Sequence, residues 1–237
     1  MKLDQNEHRL EVKNIMDKKT LQRIIKKYFT TFAEINNFIF YKPTIMLREC
    51  NDTLHIINFD LPTEGFNCSI AIQPLYIPSD SITMSFGNRL NHFKAKLPGT
   101  WGYSSDKTII EKDLSQVKDL LEVNAMPWFD KVGSPEGIIS FIESGAAEDT
   151  NIIVGFPPAL RNIYLGFSYL YINKIDLAEK PLLQVLEQYK EDKRGWVVQV
   201  KEMINSMLAL AKDEPYKIRE KLTDYIRITK YNLKLTM

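Results

Sequence analysis

From Asp17 to Asn36 the apolar residues fall at Leu21, Ile24, Ile25, Tyr28, Phe29, Phe32 and Ile35. This i, i+3, i+4, i+7 recurrence predicts one amphipathic helix with a core-facing stripe. The opposite side carries Lys18, Lys19, Arg23, Lys26 and Lys27, which read as a solvated face. The period then changes to two. Residues 38–50, 53–61 and 66–77 are rich in Ile, Phe, Leu and Thr, and are separated by Asn51-Asp52 and by Pro62-Thr63-Glu64-Gly65. Those separators are turn chemistry, so two consecutive hairpins are expected. A fourth strand over 81–86 is expected to turn at Gly87-Asn88 and return through 89–94.

The hairpins also predict a register. With Asn51-Asp52 as a two-residue loop, Cys50 faces Thr53, Arg48 faces His55 and Met46 faces Ile57. With residues 62–65 as the next loop, Leu61 faces Phe66, Phe59 faces Cys68 and Ile57 faces Ile70. Alternation then places Met46, Ile57, Phe59, Phe66, Cys68, Ile70 and Ile72 on a core face, with Leu61 at its end. The reverse face mixes Ile45, Leu47, Leu54 and Ile56 with Asn58, Asp60, Asn67, Ser69 and Gln73.

Helical spacing returns after a loop holding Trp101 and Tyr103. Asp113 or Ser115 is expected to cap a helix through Leu114, Val117, Leu120 and Leu121. Ser134-Pro135-Glu136 opens another, through Ile138, Ile139 and Phe141. Four further helices are expected, over 157–172, 176–189, 195–211 and from 213 onward, packed as antiparallel αα-hairpins. Pro181 either delays the start of the second or kinks it. The stretch from Leu165 to Ala178 resembles the turn of a tetratricopeptide repeat, present in one copy. The fold class is therefore α+β: an antiparallel sheet of about five strands on an N-terminal helix, followed by an α-helical half. Residues 1–15 read as a loose extension, 16–148 as a sheet domain and 149–237 as a helical domain.

Composition narrows the function classes. The 237 residues are 44% hydrophobic and 26% charged with a net charge of +1, so no global field favours nucleic acid or anionic lipid. No apolar run approaches the ~20 residues of a membrane helix. The first fifteen residues have no apolar stretch of the kind a secretory leader needs. Two cysteines that the register keeps ~20 Å apart argue for a reducing, cytoplasmic compartment. No metal-ligand cluster, cofactor motif or nucleophile elbow is present in the sequence, and no catalytic residue is assigned.

The candidate binding residues are Arg48, His55, Asn58, Asp60, Gln73, Trp101 and Tyr103. Arg48 and His55, with Asp60 nearby, offer an anion clamp and an acid/base pair at one end of the sheet, or else a structural pair at the edge of the core. The row Asn58, Asp60, Asn67, Ser69 and Gln73 is either a ligand surface or the ordinary solvent side of a sheet. Trp101 and Tyr103, in a glycine-rich loop, suit an interface, whereas Trp128 and Phe129 suit the core. The leading expectation is a non-enzymatic protein that binds another macromolecule, a protein rather than a nucleic acid, of adaptor or immunity type. The alternative is a small-ligand binder or enzyme built on Arg48, His55 and Asp60.

Three segments carry a family resemblance: the opening helix with Asn37-Phe38, Leu47-Arg48-Glu49 and Ile56-Ile57-Asn58-Phe59; Arg89-Leu90-Asn91-His92-Phe93; and Met126-Pro127-Trp128-Phe129-Asp130 with Ser134-Pro135-Glu136-Gly137. Over residues 17–145 the chain resembles the bacterial family catalogued as domain of unknown function 4304. It departs from that family at Asp60, where Gln is favoured, and at Trp101-Gly102, where two aromatics are often adjacent. The resemblance implies a bacterial cytoplasmic setting and a shared fold; the family has no established chemistry.

Overall fold

A computed structural model describes residues 16–63, 65–93, 97, 99–102, 104, 106–148 and 156–235. The 1–15 extension and Tyr103 lie outside the described residues. Helix α1 (Lys18–Ile35) begins where Asp17 accepts the Thr20 amide at 3.1 Å, so a carboxylate satisfies one of the orphan N–H groups of the first turn. Its stripe buries Leu21, Ile25, Phe29 and Phe32, while the lysines and Arg23 of the other face are exposed.

Five antiparallel strands follow in the order β1-β2-β3-β4-β5: β1 (Ile39–Lys42), β2 (Ile45–Cys50), β3 (Thr53–Asp60), β4 (Asn67–Pro74) and β5 (Gly87–Arg89). The predicted pairs Arg48–His55, Met46–Ile57, Ile57–Ile70 and Phe59–Cys68 are all present. Met46, Ile57, Phe59, Cys68 and Ile70 accordingly face inward. The first predicted strand is in fact two, because Pro43-Thr44 forms a tight turn; proline lacks the N–H that a continuous ladder would need. The expected 81–86/89–94 hairpin is replaced by the single short β5. Residues 81–83 bond instead to the Gln73 side chain, whose amide donates to Ser81 O at 3.1 Å and accepts from Thr83 N at 2.9 Å. A side-chain amide here takes the place of a neighbouring strand.

Helix α2 (Lys107–Leu120) starts two turns earlier than predicted, capped by Asp106 rather than Asp113 or Ser115. Asp113 serves another purpose, accepting the Gly102 amide at 2.7 Å. A π-turn over Leu121–Ala125 joins α2 to α3 (Met126–Val132). Pro127 explains it: the pyrrolidine ring would strike the carbonyl four residues back, and widening the turn relieves the clash. Helix α4 (Pro135–Glu143) is capped by Ser134 as expected.

The helical half comprises α5 (Pro158–Tyr171), α6 (Ile175–Gln188), α7 (Gly195–Asp213) and α8 (Ile218–Asn232). Pro181 lies inside α6 without delaying its start. Helices α5 and α6 approach closely at Gly166, where an added Cβ would lie 2.5 Å from Leu182 Cγ. Gly166→Ala therefore sets a gain of ~1 kcal/mol in helix propensity against overpacking of ~1–3 kcal/mol around the fully buried Leu182. We expect a net loss of up to about 2 kcal/mol in urea denaturation; a higher midpoint would mean that Leu182 yields freely.

The helical half also closes on the sheet. The Tyr171 hydroxyl donates to Asp52 at 2.5 Å, Tyr76 bonds Ser168 at 2.7 Å and Lys230 pairs with Glu49 at 2.5 Å. The buried residues form one continuous cluster from Leu21 to Leu233, with no break at residue 148. On the reverse side of the sheet, Leu47, Leu54, Ile56, Ala71 and Gln73 are buried while Asp60 is exposed and Asn58 and Ser69 are half-buried. That face is apolar and covered at one end, polar and open at the other.

Candidate functional site

Arg48 and His55 meet because β2 and β3 pair in register and both positions point to the inner face. Arg48 Nε and Nη2 lie 3.1 and 2.9 Å from His55 Nδ1. A guanidinium has only donors, so Nδ1 is an acceptor and carries no proton. On the other side of the ring, Nε2 lies 3.0 Å from the carbonyl oxygen of Gly133, which can only accept, so Nε2 carries the proton. The imidazole is neutral and both its nitrogens are used. Phe129 stacks on it at 4.8 Å and 3° between planes, and the residue is 2% exposed.

Burial is the first reason that the His55 pKa falls from 6.5 to about 4; the Arg48 charge adds to it, and the Gly133 carbonyl and Asp130 oppose it. Arg48 is itself held over the Phe38 ring at 5.0 Å and reaches Asp130 at 3.5 Å, an ion pair whose acid is 72% exposed and which contributes little. The Thr53 hydroxyl lies within bonding reach of both Cys50 O and Gly133 O. Arg48, His55 and Gly133 thus form a saturated strut between the sheet and the end of α3. Neither imidazole nitrogen is free to move a proton to a ligand.

Asp60 does not join this group. It lies five residues further along β3, ~16 Å away, and an odd separation puts it on the opposite face. The expected gathering of Arg48, His55 and Asp60 at one end of the sheet is thus corrected by strand parity. Trp101 is corrected as well: it is 2% exposed, pairs with Phe66 through two backbone bonds of 2.8 and 2.9 Å, and donates from Nε1 to Gln116 at 2.7 Å. Gln73 is buried with both ends of its amide occupied. Trp128 and Phe129 are core residues as expected.

Of the predicted candidates, Asn58 and Asp60 remain on an open surface, joined by a 3.0 Å bond from the Asn58 amide. Asn58 faces Ser69, and Ser69 faces Arg89 on β5, so the three side chains form one cross-strand row on the reverse face. Arg89 and His92, expected on the strand that returns after Gly87-Asn88, stand beside Ser69 and Asn88 around a concavity of about 320 Å³. Arg89 is exposed and makes no ion pair among the described residues. Asn67, two positions from Ser69 on the same face, is 8% exposed, and its Oδ1 has no hydrogen-bond partner among the described residues. The signal for Arg89 was parity with Ser69, which becomes visible only once 87–89 is known to be a strand.

Among the described residues no group of three or more His, Cys, Asp or Glu side chains is placed to hold a metal ion. Cys50 and Cys68 are unpaired. No described helix is long and apolar enough to cross a membrane. Comparison with family models, curated proteins and solved structures finds no match for the chain.

Proposed function

We propose that this chain is a non-enzymatic binding protein that recognises another protein through the open, polar end of its sheet. The observation that carries this reading is the cross-strand row Asn58–Ser69–Arg89, with Asp60 and His92 beside it. Strands hold these groups at fixed spacing, so the donors and acceptors are preorganised, and an unpaired guanidinium is a frequent anchor at interfaces. The acid/base candidate formed by half-buried Arg48 and buried His55 is spent on internal bonds, which weighs against the enzyme alternative. An adaptor or immunity role in a bacterial cytoplasm, within the family that residues 17–145 resemble, is part of the same proposal; two unpaired cysteines suit such a compartment.

Affinity purification with mass spectrometry from a bacterial lysate, run in parallel with wild type and Arg89→Glu, tests it. A protein recovered with wild type and reduced ~10-fold with the variant is the expected result, since one central arginine contact is worth about 1.4 kcal/mol or more. Equal recovery by both forms, or no reproducible protein with either, overturns the reading.

A further inference from the structure

A cavity of about 400 Å³ lies where the end of β4 and the 77–85 segment meet α5 and α7. Its floor is formed by the buried Gln73, Ile163 and Tyr164, and its half-buried rim by Leu160, Val200 and Met203. Trp196, 48% exposed, forms part of the wall. Among the described residues not one Lys, Arg, His, Asp or Glu lines it. Gln73, the floor amide, has its oxygen and nitrogen bound to Thr83 and Ser81. Burial also pushes the Tyr164 phenol up to about 12, so that it stays neutral.

From this we infer that the cavity between the sheet and helices α5 and α7 binds an uncharged, largely apolar small molecule. A charged ligand would lose hydration here and gain no counter-charge, at a cost of several kcal/mol in a site of this kind. An apolar one removes the Leu160, Val200 and Met203 side chains from water, and an unbranched thioether such as Met203 adapts to its shape. The volume falls within the range of ~300–1,000 Å³ that small-molecule sites occupy, and the position, at the junction of the sheet and helical halves, is where such sites occur. This site is separate from the open polar row, and the inference does not rest on it.

The full chain is titrated with N-phenyl-1-naphthylamine, a neutral apolar fluorophore, following probe emission and the quenching of Trp196, with 1-decanol and decanoate as competitors. We expect saturable binding of one probe per chain, displacement by decanol at concentrations at least ~10-fold below those needed for decanoate, and Trp196→Phe removing the quenching. Val200→Trp, which fills the cavity, and Met203→Glu, which places a carboxylate in it, should each weaken probe binding at least ~10-fold. Circular dichroism confirms that each variant is folded, and either one alone decides if the other is not. Absence of saturable binding by wild type, displacement by decanoate as readily as by decanol, or undiminished binding in a folded variant overturns the inference.

Discussion

Gly133→Ala is expected to destabilise the protein by at least about 3 kcal/mol, although only one methyl group is added. Gly133 is the C-cap of α3 with φ −79°, a conformation open to any residue, so backbone freedom is not the requirement. Space is. An added Cβ would fall 2.0 Å from His55 Nε2 and 2.4 Å from the Phe129 carbonyl oxygen. The imidazole cannot retreat, because Phe129 stacks on one face of the ring and Arg48 holds its far nitrogen. The methyl group must therefore separate α3 from β3, breaking the bonds that Gly133 O receives and leaving buried polar atoms unpaired. A double-mutant cycle in urea checks the cause. In a His55→Ala background the two imidazole contacts are gone and only the Phe129 carbonyl still crowds the methyl group, so Gly133→Ala should cost less there; additive losses would show that the imidazole is not what it strikes.

Acid is expected to weaken the same strut. In the unfolded chain His55 titrates near 6.5, whereas in the folded protein burial holds it at about 4. Between those values the unfolded state binds more protons, so stability rises with pH and is lost as pH falls through this window. The loss attributable to His55 is about 3 kcal/mol by pH 4, with little change above pH 7. Carboxylates titrate in part of the same range, so the comparison must be made with His55→Gln. That amide can accept from Arg48 and donate to Gly133 O without taking up a proton. The difference in stability between the two proteins should shrink steadily from pH 7 to pH 4. Parallel profiles would mean that the imidazole does not titrate as its burial requires.

The open polar row is a smaller effect on stability but the larger one for function, and its legibility in the sequence was partial. Asn58, Asp60 and Ser69 follow from alternation alone. Arg89 does not, because residues 81–86 show the better strand pattern and Gly87-Asn88 look like the turn that ends it. Gln73 decides the matter by capturing the backbone of residues 81 and 83, leaving β4 to pair with Gly87–Arg89. The split between β1 and β2 was legible at Pro43, where the missing N–H outweighs an apolar pattern that continues past it. Trp101 was misplaced for a different reason. A glycine-rich loop reads as exposed, but its bonds to Phe66 and Gln116 come from segments 35 residues before and 15 after it.

The chain by itself determined the amphipathic opening helix, the β2–β3–β4 register and hence the meeting of Arg48 with His55. Those depend on periods of 3.6 and 2 and on turns of fixed length, all local properties. Tertiary structure alone decided what those side chains became. Gly133 reaches His55 across 78 residues, α5 and α8 close over one end of the reverse face, and the other end stays open to solvent. Local periodicity says which way a side chain points; only the packing of distant segments says whether it meets a partner, a wall or water.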